Sequence, residues 1–227
     1  MINTALYESP LLANLGSTAI EEIISHLRLR AFNARQHIFH EGDVGHSLYL
    51  LNKGQVRIYI TGLDGHETSV IMFGRIGELF GELSLIDEKT RSANAIAVRP
   101  TELYMLSRTD FLKLISLYPR LSLNLMQILS ERVRYNTRNV DSLVSLDVQQ
   151  RLARKLLEYG DKYGEIDAHH HTFITPVLRQ GDLASLLGTT RESINKTLRA
   201  LREQNILEIH SGQITILDVP ALDALAM

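Results

Sequence analysis

The chain has 227 residues, with 24 basic and 26 acidic side chains, a formal charge of −2 and no cysteine. That length holds one large domain or two small ones, each able to bury a core. Without cysteine, disulfides, cysteine-ligated iron–sulfur clusters and thiol nucleophiles are excluded. The charge balance excludes a strongly basic coat for nucleic acid, but a small local patch can still bind DNA. No apolar run reaches the roughly 18 residues of a membrane span. The first residues lack a basic region followed by an apolar one, so no secretory signal is expected and a soluble, cytoplasmic protein is.

In chain order, the segment from Leu6 to about Leu29 carries apolar residues at mixed helical spacings. Ser17 and Thr18 can cap a short helix through Ile20, Ile23, Ile24 and Leu27. From Arg30 to Ser107 the pattern changes. Short apolar runs are broken about every eight to twelve residues by Gly or Asp: EGD at 41–43, NKG at 52–54, LDG at 63–65. Val56, Ile58 and Ile60 alternate with Gln55, Arg57 and Tyr59. Ile96, Val98, Leu103, Tyr104 and Leu106 predict a strand pair around Pro100. Many short, evenly spaced strands predict a small barrel or jelly roll.

The period then switches. Phe111 to about Val144 reads as a long helical zone, with Pro119 in the first turn of its main helix. Apolar residues recur at Leu121, Leu125, Ile128, Leu129 and Val133, then at Val140 and Val144. A helix of this kind spans about 38 Å. A stripe that long beyond a compact barrel predicts a coiled-coil-like seam with a second copy. The competing reading packs it on its own domain alone. A further helix is predicted from Leu146 to Tyr159, then a turn-rich connector at 160–171. Three helix-like pieces follow, with two short strands near Leu207–His210 and Gln213–Leu217 joined by Ser211 and Gly212.

The strongest local signal runs from Gln180 to Arg202. A first helix packs through Leu183, Ala184 and Leu187, Gly188 makes the turn, and Ile194, Leu198 and Leu201 face inward on a second helix. Thr189 or Thr190 can cap that helix, and Thr189 with Glu192 fits a capping box. Arg191, Glu192, Ser193, Lys196 and Arg199 fall on the outer face. Residues 191–202 carry four basic groups and one acidic, a net +3, whereas 141–227 carry nine and twelve, a net −3. Positive charge is thus concentrated on one helix. Such a helix, N-terminus first in a major groove, can offer Arg to guanine and Glu to cytosine. Thr189, Thr190 and backbone N–H groups can hold phosphates. The plain alternative is a basic surface helix after a glycine turn; the β-hairpin that follows favours a winged helix-turn-helix.

A second signal is GELFGELS at 77–84 followed by Arg91, Ser92 and Ala93. These residue types fit an anion and sugar site. Backbone N–H groups near Gly81 and Leu83 can face a phosphate, Arg91 adds a charged fork and Ser92 a donor, and Glu82 can accept from a ribose hydroxyl. They also fit a structural salt bridge.

Taken together, the FHEGD run from Phe39 to Asp43, Gly54, Asp64 and Gly65, Gly81-Glu82-Leu83, Arg91-Ser92-Ala93, the long helix and Thr190-Arg191-Glu192 resemble the cyclic-AMP receptor protein/fumarate-nitrate regulator family of bacterial transcription factors, over essentially the whole chain. The resemblance implies an α+β fold: an N-terminal cyclic-nucleotide-binding-type β-roll (jelly roll) over 1–116, a dimerisation helix and hinge over 117–145, and a winged helix-turn-helix over 146–227. It places the cyclic phosphate at Arg91 and Ser92, the ribose 2′-hydroxyl at Glu82, and Gly81 and Leu83 in the phosphate loop. The adenine-contacting pair matches Asn136 and Thr137. Asn136 departs from the family's hydroxyl residue; an amide can read an adenine edge or serve as a polar seam residue that fixes register. Arg191, Glu192 and Lys196 match the base-contacting positions, with Lys196 in place of an arginine and so without its bidentate fork.

The function so implied is a ligand-gated dimer that binds cyclic AMP, a palindromic TGTGA-like DNA site and RNA polymerase. A family member that works without cyclic nucleotide, or that senses cyclic GMP or a haem-type ligand, is the alternative. An enzyme is not expected. His37, His40, His46 and Asp43 lie near each other in sequence but lack metal-ligand spacing, and strand periodicity points them apart. The run His169, His170 and His171 reads as a solvated loop rather than a metal trap.

Overall fold

The structure is a computed structural model that describes residues 4–63, 65, 67–166, 171–174 and 178–227. It divides into two compact units, one built mainly from residues up to Tyr135 and one from Asn136 onward.

The first unit is a roll of two four-stranded antiparallel sheets. One has the order β1 (Arg28–Phe32), β8 (Thr101–Ser107), β3 (Ser47–Lys53), β6 (Leu79–Phe80). The other has the order β2 (His37–Phe39), β7 (Asn94–Ala97), β4 (Val56–Thr61), β5 (Glu67–Phe73). Between them lies a core of Leu51, Val56, Phe73, Phe80, Ala95 and Leu103. An aromatic row runs through it, with Phe73 on Phe80 at 5.6 Å, Phe80 on Tyr49 at 5.3 Å and Tyr49 on Phe39 at 6.0 Å. The NKG turn forms as predicted. Gly54 has φ +105°, and a Cβ there would lie 2.6 Å from Thr101 Cα and 2.7 Å from the Pro100 carbonyl oxygen. Both backbone sign and space demand glycine.

The two strands flanking Pro100 do not pair with each other, contrary to expectation. β7 pairs with β2 and β4, and β8 pairs with β1 and β3. The link 98–100 carries the chain from one sheet to the other, because Val98 N–H is spent on the Gln55 carbonyl and Pro100 has none to give.

Outside the first sheet lies a second core. α1 (Ser17–Ser25), α3 (Arg108–Leu117) and the first turns of α4 (Arg120–Ser145) cover it with Ile23, Phe111, Leu114, Leu121 and Leu125. α1 starts one residue earlier than predicted: Gly16 is its N-cap and no side chain caps it. Pro119 immediately precedes α4, and its carbonyl accepts from Ser122. Two 3-10 turns, Thr4–Glu8 and Pro10–Leu12, press Leu6, Leu11 and Leu12 into this core. They are tied down by Asn124 of α4, which is 1% exposed and donates to the carbonyls of Leu11 and Ala13, both at 2.8 Å.

Leu121 and Leu125, expected in an intermolecular seam, are thus core residues of their own unit, with Ile128 and Leu129 half-buried against them. The later apolar positions of α4 are exposed: Met126 55%, Val133 66%, Val140 61%, Leu143 46% and Val144 82%.

In the second unit α5 (Val148–Tyr163) is capped by a reciprocal box between Asp147 and Gln150. It runs past Tyr159 into the predicted connector, because Leu152, Leu156, Tyr159 and Tyr163 continue one buried face. Gly160 sits within that run where Thr172 and Ile216 approach closely. The chain then forms β9 (Gly164–Ile166) and β10 (Thr172–Ile174), which join β12 (Gln213–Ile216) and β11 (Leu207–His210) in the order β11-β12-β10-β9. The two predicted wing strands are therefore half of a four-stranded sheet. His169 and His170 lie outside the described residues. α6 (Gln180–Leu186), α7 (Arg191–Glu203) and α8 (Val219–Leu225) complete the unit. No helix among the described residues is long and apolar enough to cross a membrane.

Asn124→Ala leaves the buried Leu11 carbonyl and the part-buried Ala13 carbonyl without this donor, each lost bond to a neutral group being worth about 1 kcal/mol. The expected result is a loss of about 2 kcal/mol in urea unfolding of the first unit, seen as a lower midpoint with an unchanged slope.

Candidate ligand site and nucleic-acid interface

The GELFGELS segment supplies β6, the Gly81 turn and α2 (Leu83–Asp87). Gly81 has φ +76°, and a Cβ there would lie 2.8 Å from the Arg91 guanidinium. The turn brings two charged side chains into the wall of the roll. Glu82 is 2% exposed and Arg91 5%.

They do not bridge each other. Arg91 donates through one terminal nitrogen to the Gly81 carbonyl and to Ser84 Oγ (2.9 Å), and through the other to the Ser47 carbonyl (2.7 Å). Its guanidinium lies 4.2 Å from the centre of the Phe39 ring, a cation–π distance. Burial pulls the guanidinium below its ordinary pKa, opposed by Tyr49, Glu82 and Asp43; burial likewise raises the Tyr49 phenol. Arg91 Nε is buried with no partner among the described residues.

Glu82 is held instead by Arg132 of α4, which donates to Oε1 at 2.7 Å and also to the Leu79 carbonyl. The same guanidinium faces the Phe73 ring at 5.3 Å. Glu82 Oε2 is buried with no partner among the described residues. The wall therefore holds one acceptor and one donor that are dehydrated and unpaired, a combination that costs stability unless something meets them. A cyclic nucleotide fits both: a ribose hydroxyl can donate to the carboxylate, and its phosphate can accept from the arginine.

Leu83 and Ser92 are exposed beside these groups. Asn136 and Thr137 are exposed on α4 in the second unit, one turn beyond Arg132 in sequence. Sequence reasoning missed Arg132 and Ser47, and it included Ser84 in the 77–84 segment without giving it a role. The available signal for Arg132 was a basic residue one helical turn before Asn136; nothing local marked Ser47.

Two of the three histidines come together, against the expectation from strand periodicity. The rings of His37 and His40 stack at 4.3 Å, and His37 Nε2 lies 2.8 Å from the Tyr59 hydroxyl. The bulge in the β2–β7 pairing between His37 and Phe39 breaks the simple alternation. No group of three or more metal-ligating side chains occurs among the described residues.

In the second unit, Gly188 adopts φ +58° and turns α6 into α7; a Cβ there would meet Leu143 at 2.9 Å. Thr190 is the N-cap, accepting from Ser193 N–H at 3.1 Å. The Thr189–Glu192 box does not form, because Thr189 N–H closes the turn on the Ala184 carbonyl and leaves Thr190 in the extended cap position. Ile194, Leu198 and Leu201 are buried, while Arg191, Glu192 and Lys196 are exposed together; Ser193 is half-buried. An open cleft of about 440 Å³ adjoins this face, with Arg179 and Arg191 both on it. Arg199 is partly neutralised by Glu203 at 2.9 Å.

Arg132→Leu strips the cation from a buried carboxylate. A loss of about 2–4 kcal/mol in urea unfolding is expected, with partial recovery in Arg132→Leu/Glu82→Gln, where no charge remains to be compensated.

Both units resemble known protein domains. The family model for the cyclic nucleotide-binding domain matches residues 29–118, and that for the Crp-like helix-turn-helix domain matches residues 150–225. The chain is 34% identical to the cyclic AMP receptor protein of Thermus thermophilus over 223 residues, covering 96% of this chain and 97% of that one. The solved structure of the Thermus thermophilus catabolite activator protein is similar with a TM-score of 0.56 at 33% identity, over 96% of this chain and 98% of that one. The Xanthomonas campestris regulator CLP, described as responsive to c-di-GMP, is similar with a TM-score of 0.74 at 25% identity, over 88% and 98%. These relatives are transcription regulators, not enzymes. With both domains matched in order, and a relative this similar along nearly its whole length, the chain belongs to the cyclic-AMP receptor protein/fumarate-nitrate regulator family of transcription regulators.

Proposed function

We propose that this regulator binds cyclic AMP in the roll and that the nucleotide sets its affinity for a palindromic, TGTGA-like DNA site read by a homodimer. The observation that carries the reading is the pair of buried, unpaired atoms, Glu82 Oε2 and Arg91 Nε, in one wall. In this reading Glu82 takes the ribose 2′-hydroxyl, Arg91 and Ser92 take the cyclic phosphate, and Gly81 and Leu83 shape the loop around it. Cyclic AMP is preferred over other nucleotides because the 34% identical relative is named for it. The c-di-GMP-responsive neighbour makes that ligand, with cyclic GMP, the necessary comparison.

The dimer reading rests on α4. Met126, Val133 and Val140 recur every seven residues, and Asn136 and Leu143 fall three positions after Val133 and Val140. All five are exposed. That is the a/d spacing of a two-stranded seam, with Asn136 as its polar member. Asn136 and Thr137 so placed also serve as the adenine readers of the family pattern.

At the DNA face, Arg191 reads guanine as a fork, Glu192 accepts from cytosine and Lys196 contacts guanine as a point charge, while Thr189, Thr190 and Ser193 hold phosphates.

Isothermal titration with cyclic AMP, cyclic GMP and c-di-GMP tests the effector. Cyclic AMP is expected to bind tightest, and Arg91→Gln to weaken it about tenfold to a hundredfold, the scale of one charge-assisted hydrogen bond. DNA affinity measured at one fixed salt concentration, with and without cyclic AMP, tests the gating; equal affinities rule it out and leave DNA binding standing. Arg191→Ala is expected to cost about 1–3 kcal/mol on the preferred site and to relax selectivity at one base pair.

A further inference from the structure

The tightest point around Arg91 is Gly45, in the short link between β2 and β3. It is buried, and its φ lies outside the left-handed range, so its backbone does not call for glycine. Space does. An ideal Cβ at Gly45 would lie 2.1 Å from Ser84 Oγ, 2.7 Å from Ser84 Cβ and 2.8 Å from Arg91 Cζ. Ser84 is itself buried, and its hydroxyl accepts from the Arg91 terminal nitrogen at 2.9 Å.

We propose that Gly45 and Ser84 form a matched pair that positions the Arg91 guanidinium for an anionic ligand: Ser84 occupies the volume a side chain at 45 would take, and from there fixes the guanidinium. The nature of the ligand, a cyclic nucleotide phosphate, rests on the function proposed above. The positioning does not. An arginine side chain has four rotatable bonds, and holding its head in one orientation costs conformational entropy at the moment of binding unless the fold has already done so. Here three protein acceptors and the Phe39 ring set the guanidinium plane and leave Nε–H as the unspent edge. A methyl group at 45 cannot coexist with Ser84 where it stands. Ser84 must swing away, its bond to Arg91 is lost, and the guanidinium loses its fixed orientation. Neither residue touches the ligand in this account; both act through Arg91.

The test compares wild type with Gly45→Ala, Ser84→Gly and Gly45→Ala/Ser84→Gly. The first readout needs no ligand. The Arg91 Nε–H signal in ¹⁵N-resolved NMR, assigned by its loss in Arg91→Lys, is expected to be sharp in wild type, displaced or broadened in Gly45→Ala, and recovered toward the Ser84→Gly spectrum in the double variant. The second is cyclic AMP affinity by calorimetry. Gly45→Ala is expected to weaken it about tenfold or more, the scale of one charge-assisted hydrogen bond. Ser84→Gly should weaken it a few-fold. In the double variant, deleting Ser84 Oγ and Cβ removes two of the three close contacts and leaves only the 2.8 Å approach to Arg91 Cζ, so its loss should be smaller than the product of the two single losses.

An unchanged Arg91 signal in Gly45→Ala overturns the proposal. So does a double variant whose losses are the product of the single ones, because that is the behaviour of two independent structural defects. If wild type binds no cyclic nucleotide, the effector reading has failed, and the NMR comparison alone decides the positioning.

Discussion

A guanidinium cannot shed its proton to enter a protein interior, so a buried arginine dictates the groups around it. Arg91 is the residue on which the roll's wall depends in this way. Its donors are met by two carbonyls from different strands and turns and by one hydroxyl, and an aromatic face lies under its charge. Each partner constrains the local chain. The Gly81 carbonyl is aimed by a left-handed turn, Ser84 is placed by the first turn of α2, and Gly45 stays bare so that both fit. The unpaired Nε–H of Arg91 is not an addition to the fold. It is what remains when a buried cation has been given every neutral partner the backbone can supply.

The second buried charge follows the same physics with a different solution. Glu82 is the opposite sign and is answered by a full cation, Arg132, rather than by dipoles. That pair anchors α4 to the loop carrying Glu82. The helix thereby has two characters along its length. Its first turns are sealed into the unit's second core by Leu121, Asn124 and Leu125, while its later apolar residues stand in solvent at heptad spacing. A helix with this change of face packs locally at one end and exposes apolar residues at the other.

The helix-turn-helix region shows how little net charge says about partners. Its recognition helix concentrates basic groups on the face opposite Ile194, Leu198 and Leu201, within a unit whose charge is otherwise acidic. Burial of the apolar face forces the polar side chains outward together, so the same periodicity that packs the helix also gathers its basic surface.

Much of this was legible from residues alone, and for a common reason. The NKG turn, the Gly188 turn, the strand alternation, the 3.6-residue period of α7 and its Thr190 cap are local properties, decided by φ preference, by side-chain capping and by which face of an element is apolar. The limits of local reading are equally physical. β7 and β8 look like a hairpin around Pro100, yet they belong to different sheets, because sheet membership is set by distant partners. Tyr163 extends α5 past a glycine because a strand arriving later packs on it. Glu82 and Arg132 are 50 positions apart, and Arg91 and the Ser47 carbonyl 44. By itself the sequence determined the order of a strand-rich roll, a long helix and a C-terminal helix-turn-helix, along with the concentration of basic groups on α7. Only the tertiary structure decided which cation answers Glu82, which oxygens hold Arg91 and why position 45 is glycine. Those contacts join segments whose separation in the chain carries no periodic signal.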